Sequence, residues 1–101
     1  MSNFELSDLG EGRFALLGDM SFDSAEQIRR ASQKIFDGQP SIELDLSGVE
    51  KTDSAGLALL LEWISWASSS EVALRFLAIP EKLLAIAQTA EVDDLLKNRS
   101  S

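Results

Sequence analysis

The chain has 101 residues, 45% of them hydrophobic, and a formal net charge of −8. That length supports a single domain over residues 1–101 with one modest core, and the acidic balance argues against nucleic acid or anionic lipid as ligands, since both call for clustered Lys and Arg. With no histidine and no cysteine, the chain lacks the commonest general base and metal ligand, and it has no Ser-His-Asp triad, thiolate nucleophile, disulfide or cysteine zinc site of its own.

Phe4-Glu5-Leu6-Ser7 alternates apolar and polar residues and predicts a strand. Gly10-Glu11-Gly12 predicts a turn, and Arg13 to Leu17 a second strand paired with the first as a hairpin. Met1 to Gly10 has neither a basic start nor a long apolar run, so no signal peptide is read there. Gly18 to Ser21 leads into a helix near Asp23-Ser24, where Ser24 and Gln27 have the spacing of a capping box. Its inward stripe is Ile28, Ala31, Ser32 and Ile35, closed by Phe36, and Gly38 with Pro40 ends it.

Ser41 to Leu46 predicts a strand with Ile42, Leu44 and Leu46 on one side and Glu43 and Asp45 on the other. A strand covered on both faces is apolar throughout, so this alternation places helices mainly on one face of the sheet. Val72 to Ile79 is the last strand. Pro80 suits the first turn of the next helix, whose inward residues are Leu83, Leu84, Ala87 and Ala90. Val92 to Leu96 forms a short final turn or helix, and Lys97 to Ser101 is expected to fray. The order is ββαβαβα, a mixed α/β sheet of about four strands with parallel crossovers and one antiparallel hairpin strand.

The central stretch is Val49 to Ser69. Asp53 is placed to cap a helix, and the small residues Ser54, Ala55 and Gly56 allow close approach to its start. At about 100° per residue, Leu57, Leu60, Leu61, Ile64 and Ala67 form one apolar stripe. Leu59, Trp63 and Trp66 fall roughly opposite, beside Ala55 and Glu62. Such a second stripe calls for cover, either by a partner polypeptide or by another helix of the same domain; the partner is the preferred reading. The apolar run from Ala55 to Ala67 is broken by Glu62 and is shorter than the ~20 residues of a spanning helix.

The segment Leu44-Asp45-Leu46-Ser47-Gly48-Val49 followed by Asp53-Ser54-Ala55-Gly56-Leu57 resembles the STAS domain family, the SpoIIAA-like fold of bacterial anti-anti-sigma factors. Asp53 to Leu61, with Ala78 to Leu96, is most similar to the MlaB-type branch. That resemblance implies a non-catalytic cytoplasmic subunit without a cofactor. It would bind an MlaF-like ATPase of an ABC transporter that moves phospholipids and maintains outer-membrane lipid asymmetry, so that it meets the inner membrane only through the complex. The partner surface then comprises Thr52, Asp53, Ser54, Ala55, Gly56, Leu59, Glu62, Trp63 and Trp66, bordered by Lys51 and, from the next helix, Glu81 and Lys82.

Ser54 matches the residue phosphorylated in sigma-regulating members, whereas threonine is usual in the transporter branch. The alternative function is therefore an anti-anti-sigma factor switched by phosphorylation of Ser54, where a phosphate would meet free helix N–H groups but also the charge of Asp53. Asp53 reads as a cap rather than an acid or base, because no histidine or partner carboxylate accompanies it. Gly56 reads as a site of close backbone approach.

Overall fold

A computed structural model describes residues 3–100. The elements are β1 (Phe4–Gly10), β2 (Arg13–Met20), α1 (Ala25–Phe36), β3 (Ser41–Thr52), α2 (Ser54–Ser69), β4 (Ala73–Leu77), α3 (Glu81–Thr89) and α4 (Asp93–Lys97). The four strands make one sheet in the order β1-β2-β3-β4. β1 and β2 are antiparallel, and the β2–β3 and β3–β4 pairs are parallel. The expected ββαβαβα chain is thus present, with α4 as the short last helix.

Period-two patterning decides which face is covered. In register, Phe14 lies beside Leu44 and Leu44 beside Phe76, and all three are buried under the helices. One residue back, Arg13, Glu43 and Arg75 line up on the opposite face, where Arg75 Nη1 lies 3.8 Å from a Glu43 carboxylate oxygen. Alternating signs across neighbouring strands suit a face left to water. β3 extends to Thr52, well beyond the expected Leu46, because Gly48 and Val49 pair with Leu17 and Gly18 after a register shift.

Two helices end in the same way. At α2, the Val72 N–H donates to the Ala67 carbonyl at 2.8 Å, and at α3 the Val92 N–H donates to the Ala87 carbonyl at 2.9 Å. Between cap and valine sit Glu71 and Glu91 at φ 58° and 60°. Each is the left-handed turn of a Schellman motif, a place that glycine usually takes. Val72 and Val92 then fold back against the core.

Two local expectations are corrected. Ser24 makes no side-chain cap to α1. Its Oγ donates instead to the Asp19 carbonyl at 2.8 Å and accepts from the Ser21 N–H at 3.1 Å, so it braces the β2–α1 loop. Nor does the tail fray over residues 98–100. The Phe76 N–H donates to the Arg99 carbonyl at 2.7 Å, Ser100 bridges to Phe76, and Arg99 Nη2 donates to Ser68 Oγ at 2.9 Å. Ser101 lies outside the described residues, as do Met1 and Ser2 of the expected leaderless start. Among the described residues, no helix is long and apolar enough to cross a membrane.

Candidate docking site at the head of α2

The start of α2 is tied to the loop that enters α1. Asp53 Oδ1 accepts from the Ala55 N–H at 2.9 Å, the N-cap that the sequence predicts. Its Oδ2 accepts from the Phe22 N–H at 3.1 Å, a contact across 31 residues. Burial alone would raise the Asp53 pKa. The N–H groups of Phe22 and Ala55, with that of Gly56 and the charge of Lys82 nearby, outweigh it and hold the carboxyl below its ordinary value. Asp53 is therefore a structural anion, and Lys82 belongs to its surroundings as expected.

Beneath this cap the packing is tight. Thr52 Oγ1 is buried and donates to the Met20 carbonyl at 2.9 Å. A Cβ added to Gly56 would lie 2.6 Å from that carbonyl and would also strike Thr52 Oγ1. The close approach expected at Gly56 is real, but the approaching backbone is β2 of the same chain. Thr52 and Gly56 are both buried, so neither offers a partner surface as expected.

Leu59 and Trp63 are corrected in the same sense, being only 3% and 4% exposed. The centres of the two apolar stripes differ by about 130° around the wheel, not 180°. They merge into one broad arc, because α2 lies on the sheet with α1 on one flank and α3 on the other. Trp63 Nε1 donates to Ser32 Oγ of α1 at 3.0 Å, and Ser32 Oγ donates onward to the Arg29 carbonyl at 2.7 Å. Phe36 meets the Trp63 ring edge-on at 5.7 Å and stacks on Trp66 at 6.2 Å. Another helix of the domain covers this stripe.

What remains at the surface is a seam between α1 and α2. Ser54 and Glu62 are exposed, while Asp53, Ala55 and Trp66 are half-buried. At its head stands Phe22, 81% exposed and missed by the sequence reading. Its signal was a lone aromatic between Ser21 and Asp23, outside any periodic segment. The Phe22 backbone is fixed by Asp53 while its ring points away from the core, so it is presented rather than merely left out. An exposed aromatic held beside a helix start has the makings of an interface anchor. Lys51, Glu81 and Lys82 are also exposed.

A family model described as "Mlab, STAS domain" matches residues 6–97. Among solved structures, the chain is similar to a putative anti-sigma factor antagonist from Thermotoga maritima (TM-score 0.71, 20% identity, covering 90% of this chain and 80% of that one). It is also similar to the anti-sigma factor antagonist SpoIIAA in its unphosphorylated form (TM-score 0.64, 21% identity, 84% and 81% covered). A sulfate transporter family protein from Wolinella succinogenes matches at a TM-score of 0.69 with 15% identity, over 93% and 80%. At these identities the likeness establishes the fold. No curated protein matches the chain in sequence.

Proposed function

Because the chain belongs to the MlaB-type STAS domain family, we propose that it is the non-catalytic accessory subunit of an Mla-type ABC transporter, and that it docks on and stabilises the transporter's ATPase. In this reading it serves phospholipid traffic that maintains outer-membrane lipid asymmetry, works on the cytoplasmic side, and reaches the inner membrane only through the complex. STAS domains in general regulate or bind other proteins. The observation that carries the docking reading is the Phe22–Ser54 corner, where an aromatic ring stands free beside an exposed helix start. Asp53, Ala55, Glu62 and Trp66 continue that surface along the seam, whereas Leu59 and Trp63 support it from within.

The test is copurification with the ATPase. Phe22→Ala and Ser54→Arg change exposed side chains, so both are expected to fold like the wild type and to lose the complex. Retention of full binding by both variants refutes this surface.

A second reading is favoured by one feature. Ser54 is exposed at the first position of α2, at the positive end of the helix dipole, which suits phosphorylation and an anti-anti-sigma switch, although Asp53 already occupies the Ala55 N–H that a phosphate would seek. Mass spectrometry of Ser54 after incubation with an anti-sigma kinase decides it. An unmodified Ser54 removes this reading.

A further inference from the structure

Both tryptophans of the chain border one groove, between the C-terminal halves of α1 and α2. Its volume is about 180 Å³, less than the ~300–1,000 Å³ of sites that enclose a whole small-molecule ligand. It suits one group the size of a side chain. Trp66 and Phe36 stack to form its aromatic floor, with Trp63 edge-on to Phe36.

The rim carries Arg29, Asp37 and Glu62. Arg29 turns its guanidinium to Glu26, where Nε and Nη2 both donate to the carboxylate. Glu62 also adds to the field at Arg29, yet among the described residues neither Glu62 nor Asp37 forms an ion pair. Two carboxylates lining the same groove as two indoles fit a cation on an apolar stem, because an aromatic ring attracts the charge and the stem covers apolar surface. The charge of −8 draws the same kind of group.

We infer that this groove receives one lysine or arginine side chain of the docked ATPase, with the methylene stem on Trp66 and the charged head between Asp37 and Glu62. This deepens the docking reading and rests on it. The groove lies about 18 Å along α2 from Ser54, a distance that one helix of a partner spans in some twelve residues.

Because no other tryptophan is present, the intrinsic emission of the isolated domain reports on the groove directly. The domain is titrated with Nα-acetyl-lysine amide, its uncharged analogue Nα-acetyl-norleucine amide, and tetramethylammonium chloride. A saturable change with the lysine amide alone is expected, weakened about threefold to tenfold in the Asp37→Asn/Glu62→Gln double variant. Both substitutions lie at the surface, and an unchanged melting curve confirms the fold. Absence of a saturable change up to the solubility of the lysine amide, an equal response to norleucine amide, or an unchanged midpoint in the double variant overturns the proposal. A stronger response to tetramethylammonium overturns it in favour of a free quaternary cation. In the complex, the double variant is expected to copurify less of the ATPase. Full copurification by the double variant alongside loss by Ser54→Arg overturns the groove assignment while the docking reading stands.

Discussion

Ser32→Ala isolates the contact that keeps Trp63 inside the domain. In the wild type the indole N–H donates to Ser32 Oγ at 3.0 Å, in a site where the tryptophan is almost wholly buried. Alanine removes the acceptor and leaves that N–H unpaired, at a cost of roughly 1–3 kcal/mol. Alanine is the better helix former, which returns about 0.5 kcal/mol in the middle of α1. The net loss is about 0.5–2.5 kcal/mol, set against the ~5–15 kcal/mol typical of a whole domain. At roughly 4–8 °C per kcal/mol for a chain of this size, the midpoint falls by about 2–20 °C. The assay is urea and thermal unfolding followed by far-UV circular dichroism, so that altered tryptophan emission does not confuse the readout. The control is Ser32→Ala in a Trp63→Phe background, where no indole N–H remains to be stranded. There the serine substitution is expected to be neutral or slightly stabilising, and the double-mutant cycle gives the coupling directly. If Ser32→Ala costs nothing in the wild type, or as much in both backgrounds, the indole is not held by Ser32. The argument that Trp63 supports the seam from below then fails.

Asp53→Asn preserves the capping shape but not the charge. Because the folded Asp53 pKa is lowered, the wild type is expected to exceed the variant in stability above the unfolded carboxyl value of about 3.9. That margin shrinks as the pH falls through the folded value; urea midpoints at neutral and acid pH check it, and a constant margin refutes it. Glu71→Gly relieves a left-handed residue worth roughly 1–2 kcal/mol of strain. Greater freedom of glycine in the unfolded chain takes back about 0.5–1 kcal/mol, so a gain of up to about 1.5 kcal/mol is expected by chemical denaturation. An unchanged or lowered midpoint counts against the assigned helix end.

The strands were legible because a one-sided sheet writes itself as alternation, as at Ile42, Leu44 and Leu46. The Asp53 cap was legible because its bond is local. The burial of Leu59 and Trp63 was not, since a helical wheel shows which side chains share an arc but not how many neighbours the helix has. Flanked by two helices and a sheet, α2 hides more than half its circumference, and an apolar arc of that width looks like two stripes. Phe22 escaped for the opposite reason. Its role depends on a hydrogen bond to a residue 31 positions away, and nothing beside it in the chain records that bond. The ordered tail is similar, for Arg99 and Ser100 are polar residues pinned by β4 and Ser68 at long range.

That pinned tail has a consequence for crowding at high concentration. A sheet polymerises through its rims only if each copy offers two sticky ones. Here the outer margin of β4 already has its Phe76 donor engaged by the chain's own carbonyl. Strand-to-strand accretion is thereby hindered at Phe76, while β1, at the opposite rim of the sheet, has no such cover among the described residues. Clipping the last few residues would free the Phe76 donor and make that rim the easier one to extend.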